Sequence, residues 1–407
     1  MQNVIKGCVA TVFTIALVVF FFAAGFLANA YRNSTISTSY SEQVEGVDPI
    51  AEQPKNFNVF YEALGFMRNE FYGELPDEQR LSYAAIRGVL GRLSDQNTIF
   101  VEPPEHEKEQ ERFQGEFGGI GAQVSNNEEG QLVIVAPIDD TPAAGAGLRA
   151  NDIVLEVDGE PITGMTLNDA VELIRGLVGT EVTLLISRPN EGEPFSVTLV
   201  RDKIPDVTVF HSLLEDPTNI GYIRVGFFSA RTTEELRKAI TDLQEQGATK
   251  LILDLRNNPG GLLDAAIGTS SLFIGNGTIA YQLFNDGTRK PLDARGDPMA
   301  LNEPLMVLVN EGSASASEIL AGALQASDRA RLVGTQTYGK GTVQIPYTLQ
   351  DGSSLHVTIA HWLTPDGIDL SQDGLIPELY VEPTEEQLQA GEDPVFMKAV
   401  ETLKELP

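Results

Sequence analysis

The chain is short of the residues that carry much familiar chemistry. Its 407 residues include one cysteine, Cys8, and four histidines, His106, His211, His356 and His361. One cysteine, set in an apolar stretch, excludes an internal disulfide and leaves no thiol chemistry to the rest of the chain. The histidines form neither HExxH nor a short-range His/Cys cluster, so spacing gives no zinc motif. Neither a metal nor an organic cofactor is expected. Basic residues are also few: 28 Lys and Arg stand against 58 Asp and Glu, a formal net charge of −30. Such a chain cannot neutralise phosphates, which argues against a nucleic-acid partner and for a solvated acidic surface.

Long apolar runs are missing with one exception, Cys8–Ala28, which is uncharged and follows Lys6. A bilayer core takes roughly 20 apolar residues, and this run is long enough for a retained anchor. Ala28-Asn29-Ala30, however, is the small-residue pattern at which signal peptidases cut. Either way, residues 1–30 export the remainder of the chain: the product is tethered facing outside the cytoplasm, or is released as a periplasmic or extracellular protein.

Beyond a Ser/Thr-rich linker over 31–50, the apolar pattern changes twice. FYEALGFMRNEFY and LSYAAIRGVLGRL have helical spacing, which predicts two or three helices within 51–112 and gives them an apolar face that a second copy can cover. From 113 to 203 short strands dominate, QLVIVAPI, DIVLEVDG, EVTLLISR and FSVTLVRD, with one helix, TLNDAVELIRG, opened by Thr166 and Asp169. From 204 to 382 strands and helices alternate, which predicts an α/β domain on a mostly parallel, buried sheet. Residues 383–407 read as an acidic tail with a short helix, PVFMKAVETLKEL.

Two constellations carry chemistry. In FGGIGAQV, Gly118, Gly119, Ile120, Gly121 and Ala122 precede a strand; glycines there let N–H groups form a nest for a carboxylate, and the strand offers an edge to an extended peptide. Together with TPAAGAGLRANDIVLEVDGEPITG and the helix after it, this stretch resembles a PDZ domain. The resemblance implies capture of a chain end between the strand after Gly121 and the helix from Leu167 to Arg175, with Arg175 placed to pass that event on.

The second constellation combines a serine and a lysine. KLILDLRNNPGG runs from a strand into an open turn whose N–H groups suit a developing negative charge. PLMVLVN then delivers GSASASE to the same sheet edge, the usual place for a reactive crevice in α/β folds. Ser313 falls in the turn and Ser317 in the first helical turn, whereas Ser315 stands where strand gives way to helix, with the Ala316 N–H beside it. Glu318, one helical turn on, has two readings: a residue that caps or tunes the site, or an ordinary first-turn carboxylate. No histidine is well placed as its base. Lys340, between glycines in TQTYGKGTVQ, is the alternative; it can accept a proton only as the neutral amine, and Gln344 can hydrogen-bond it without imposing a charge.

In this order DLRNNPGG, NEGSASASEILAGAL, GTQTYGKGTVQ and DGSSLHVTIAHWLTPDG resemble the carboxy-terminal processing peptidases, also called tail-specific proteases, which carry a PDZ domain ahead of the catalytic core. That resemblance implies a multidomain α/β (α+β) protein with a core like those of crotonases and Clp proteases. It implies Ser315 as nucleophile, Lys340 as general base, Gln344 as the residue orienting the lysine, and Gly261 with Ala316 as the oxyanion hole. Substrates would be proteins with apolar C-terminal tails. Two other readings use the same features: a catalytically silent PDZ peptide-binding protein, and a crotonase-like acyl-CoA enzyme.

Overall fold

The computed structural model describes residues 55–127, 129–189, 191–214 and 219–406. The apolar run Cys8–Ala28, on which anchoring or export rests, lies outside them; no described helix is long and apolar enough to cross a membrane. The chain divides after Ser82 into two compact units. In the first, helix Asn58–Glu70 buries none of its residues, and Arg68 pairs with Glu78 at 3.0 Å. Helix Glu78–Leu90 runs across the division.

Within the second unit, strands Ala122–Asn126, Leu132–Pro137, Ile153–Val157, Glu181–Arg188 and Glu191–Val200 form one antiparallel sheet in that order. Their inward residues, among them Ile134, Val154, Leu184 and Ile186, enclose a core with Ala170 and Ile174 of helix Leu167–Ile174. Thr166 caps that helix, as its sequence predicts, with Oγ1 accepting from the Asp169 N–H at 3.2 Å. At the other end the buried Arg201 guanidinium donates to the Leu173 and Ile174 carbonyls, which would otherwise be orphaned.

The larger sheet lies in the C-terminal part of the chain. Strands Val209–Leu213, Ile220–Val225, Lys250–Asp254, Leu305–Val309, Arg331–Gly334 and Leu379–Tyr380 lie side by side, all parallel except the first. Alternation decides which face each side chain serves. Leu251, Leu253, Leu305 and Val307 pack with helices Thr232–Glu245, Leu263–Phe273 and Ala316–Ala326, whereas Ile252, Met306 and Leu308 pack with Val395, Ala399 and Leu403. Burial on both faces is why LILDL and LMVLV are continuously apolar. It also corrects the view of residues 383–407 as a tail: helix Pro394–Glu405 is the lid over the sheet's second face.

Alternation along the chain does not make everything parallel. A second, antiparallel sheet joins Ile99–Val101, Thr278–Phe284, Arg289–Asp293 and Thr342–Thr348 around strand Ser354–Leu363.

Candidate active site

Two turns at the carboxyl edge of the large sheet meet around Ser315. The first, after strand Lys250–Asp254, is held by Asn258: its Nδ2 donates to the Val225 carbonyl at 2.7 Å and its Oδ1 accepts from Gly260 N–H at 2.9 Å. The second carries the three serines, and only one keeps its hydroxyl proton uncommitted. Ser313 Oγ donates to the Leu255 carbonyl at 2.8 Å and Ser317 Oγ to the Asn258 carbonyl at 2.9 Å, so both tie one turn to the other. The Ser315 hydroxyl donates to no acceptor among the described residues. Its backbone sits at φ 55°, ψ −113°, a strained place for a side chain and a recurrent property of reactive positions.

The glycines opposite divide the work. A Cβ on Gly260, at φ +104°, would lie 2.8 Å from both the Ala314 oxygen and Ser315 Cβ, so only glycine lets the turn come this close. Gly261 runs alongside Phe228, whose N–H donates to the Gly260 carbonyl and whose carbonyl accepts from Leu262 N–H. The Gly261 N–H, like that of Ala316, has no acceptor among the described residues. Two backbone donors, one next to the serine and one in the glycine turn that packs against it, are thus left without acceptors, as an oxyanion hole requires.

Glu318 is not the surface carboxylate that its first-turn position suggests. It is 0% exposed and accepts four hydrogen bonds. Oε2 receives the N–H of Ser315 at 2.8 Å and of Lys340 at 3.0 Å. Oε1 receives Thr337 Oγ1 at 2.6 Å and the Gly339 N–H at 2.8 Å. One buried carboxylate therefore holds the serine turn and the lysine loop against each other. The Lys340 side chain is half-buried and has neither hydrogen bond nor ion pair among the described residues. Ser315 Oγ and Lys340 Nζ are not bonded to each other, and Gln344 is not bonded to the lysine: its amide donates to Thr342 Oγ1 at 2.6 Å and Thr358 Oγ1 at 3.4 Å.

Residues 219–381 match the family model described as peptidase family S41, and residues 133–188 match that of a PDZ domain. The carboxy-terminal processing protease CtpA of Bacillus subtilis is 36% identical over 349 residues, 86% of this chain and 74% of that one. The carboxy-terminal-processing protease of Bartonella bacilliformis is 38% identical over 371 residues, 89% of this chain and 82% of that one. The chain belongs to the carboxy-terminal processing proteases. It is a serine peptidase of family S41 with a PDZ domain. A solved photosystem II D1 C-terminal processing protease aligns over 81% of this chain and 89% of its own, at 32% identity and a TM-score of 0.47.

In this family member the PDZ loop is tighter than its glycines suggest. Glu116–Gly119 is itself a strand, paired with Asp202–Pro205, and Gly118 to Gly121 are buried. The carbonyls of Gly118, Ile120 and Gly121 accept from Gly176, Ala143 and Ile138 N–H groups, and a Cβ on Gly118 would strike the Gly176 oxygen at 2.0 Å. Strand Ala122–Asn126 ends the sheet, and its outer edge pairs with no other strand among the described residues. Arg175 lies over the Phe117 ring, 4.1 Å from its centre.

Sequence reasoning missed the support beneath the turn that follows strand Lys250–Asp254. Arg256 binds Asp254 at 2.6 Å and Asp393, the cap of the C-terminal helix, at 2.8 Å. Tyr222 donates to the same Asp254 at 2.8 Å; burial, with the Asp254 charge and hydrogen bond, pushes its phenol up to about 12. The DLR triplet was the available signal, a charged pair ending an otherwise apolar strand.

Proposed function

We propose that this peptidase is exported, cuts with a Ser315–Lys340 pair, and receives its substrates by their chain ends through the PDZ domain. Ser315 Oγ attacks the scissile carbonyl carbon while the neutral Lys340 amine takes the hydroxyl proton and passes it to the leaving amine. The Gly261 and Ala316 N–H groups hold the oxyanion. Water then attacks the acyl ester, with the same lysine as base, and frees the new C-terminus together with the Ser315 hydroxyl.

The observation that carries this reading is the Glu318 carboxylate, whose one oxygen accepts from both the Ser315 and the Lys340 backbone. That shared acceptor keeps the two residues close, which supports their acting together. An apolar C-terminal tail adds as a strand to the free edge of Ala122–Asn126, beside helix Leu167–Ile174. Ser315 Oγ and Lys340 Nζ share no hydrogen bond and Gln344 is bonded to threonines instead, so the reading requires these side chains to come together when substrate binds. Tail capture closes the amine onto the hydroxyl, which is how the PDZ domain gates cutting. The anchor or signal over residues 1–30 delivers the enzyme to substrates outside the cytoplasm, and a second copy covers the exposed apolar residues of Asn58–Glu70.

The test is cleavage of an unfolded protein by wild type, Ser315→Ala and Lys340→Ala, with binding of an apolar-tailed peptide measured alongside. Both variants should bind the peptide and leave the protein uncut. Cutting by Lys340→Ala would refute the pair as the catalytic unit, and a wild type that binds without cutting would make the chain a silent peptide-binding protein.

A further inference from the structure

Two histidines that are 250 positions apart in sequence meet in the fold, His106 on helix Pro103–Gln114 and His356 on strand Ser354–Leu363. The helix reaches that strand because Ile99–Val101, just before it, pairs with Ser354–His356. Both side chains are buried, at 5% and 9% exposure. One helical turn beyond His106, Glu109 turns its carboxylate to the same point. His356 Nε2 lies 3.1 Å and His106 Nδ1 3.8 Å from Glu109 Oε2, and all three atoms fall within 4.8 Å of one another.

None of these three atoms has a hydrogen-bond partner, although each is shut off from solvent. The distance from His356 to Glu109 is short enough for a hydrogen bond, but its direction is not. Buried polar atoms are normally satisfied, and three orphans converging on one point call for something between them. Two imidazole nitrogens and one carboxylate are the donor set of zinc sites that keep a fourth position for water. In a tetrahedron with bonds of 2.0–2.1 Å, donors stand about 3.4 Å apart, a value that 3.1 and 3.8 Å bracket. Calcium and magnesium want six or more oxygens, and this cluster offers one carboxylate.

The surroundings suit ligation as well. A histidine that binds metal through Nδ1 must give its Nε2–H to an acceptor. His106 Nε2 has Thr348 Oγ1 at 3.2 Å for that purpose, and the Gln110 amide nitrogen at 2.8 Å, where a half-turn of the amide brings its oxygen instead.

We propose that His106, Glu109 and His356 bind a zinc-class divalent ion that fastens helix Pro103–Gln114 to strand Ser354–Leu363. The two elements have different duties. The helix leads through Gly115 directly into the first PDZ strand, Glu116–Gly119, while Ser354–Leu363 pairs along Thr342–Thr348, the strand that comes after the Lys340 loop. A bound ion therefore joins the entrance of the peptide-binding domain to the sheet behind the catalytic lysine. The site was invisible to motif reading because its ligands are spaced by the fold and not by the chain.

Full-length protein, purified in detergent and stripped with a chelator, is titrated with Co²⁺ and then Zn²⁺. The expected result is visible absorption bands of low-coordinate cobalt saturating at one equivalent, their loss to zinc, and a zinc-dependent rise in Tm. With zinc at 100 times its Kd, the folded fraction's equilibrium should gain about 100-fold. His106→Gln, Glu109→Gln and His356→Gln should each weaken metal binding by at least about 100-fold; His361→Gln should change nothing. A wild type with no visible band and no shift in Tm overturns the proposal without recourse to any variant. Bands that survive His106→Gln and His356→Gln overturn it by locating the ion elsewhere.

Discussion

Replacing Glu318 by alanine removes the acceptor of four hydrogen bonds from a fully buried position. Each orphaned donor costs about 1–3 kcal/mol, and water entering the space left behind recovers part of that, so a net loss of about 3–5 kcal/mol is expected. Set against a usual total of about 5–15 kcal/mol, the variant folds at room temperature but melts early. The kinetic loss comes from geometry. With the serine turn and lysine loop no longer pinned to one oxygen, a shift of about 1 Å suffices to reduce the rate about 100-fold, and kcat/KM should fall by about 10²–10³. Glu318→Gln separates shape from charge. Its amide oxygen can keep the Ser315 and Lys340 N–H groups and its nitrogen can donate to Thr337 Oγ1, but that nitrogen then opposes the Gly339 N–H. One lost backbone bond costs about 1–2 kcal/mol, and an activity about ten-fold below wild type is expected. A fluorogenic unfolded substrate, assayed well below each variant's Tm, gives the comparison. Alanine within three-fold of wild type, or glutamine worse than alanine, would refute the argument.

Other consequences can be checked more quickly. Gly260→Ala places a Cβ 2.8 Å from Ser315 Cβ at a φ of +104°, so it should cost about 1–3 kcal/mol in strain and most of the activity, read by melting and turnover. Gly261→Ala should be worse, since its Cβ would come within 2.2 Å of the Phe228 oxygen, and little folded protein should be recovered. In the PDZ domain, burial alone would raise Asp152, but the hydrogen bonds from Arg188 and the Arg149 N–H, with both arginine charges, outweigh it and hold the carboxyl below its ordinary value. The stability this gives is therefore present above the unfolded value of about 3.9 and is lost as pH falls through the lowered folded one. Asp152→Asn should leave Arg188 only the Glu191 carboxylate and the Gly147 carbonyl as partners, lower the domain's Tm and flatten the acid limb of its stability curve.

Features written in neighbouring residues were legible in the sequence. Continuous apolar strands showed a sheet buried on both faces, Thr166 and Asp169 marked a helix start, and GSASASE separated one serine from two others by its position at a strand-to-helix turn. The way distant segments share surfaces could not be read. PVFMKAVETLKEL has a helical period, yet nothing in it says that Val395, Ala399 and Leu403 close the second face of the sheet. Glu318 has the sequence signature of an exposed first-turn acid, and its burial depends on a loop more than twenty residues later. Arg256 and Asp393 are joined by the fold alone. Gln344 stands beside Lys340 in sequence, but strand pairing with Thr358 turns its amide elsewhere.

The left-handed backbone of Ser315 also bears on how such enzymes are lost and kept. A glycine would take φ 55° without strain, so Ser315→Gly should fold at least as well as the wild type while cutting nothing. Stability thus does not protect the serine proposed as nucleophile; drift at this position leads downhill, to a sound and silent protein. Only selection on the product of the reaction can hold the serine in place.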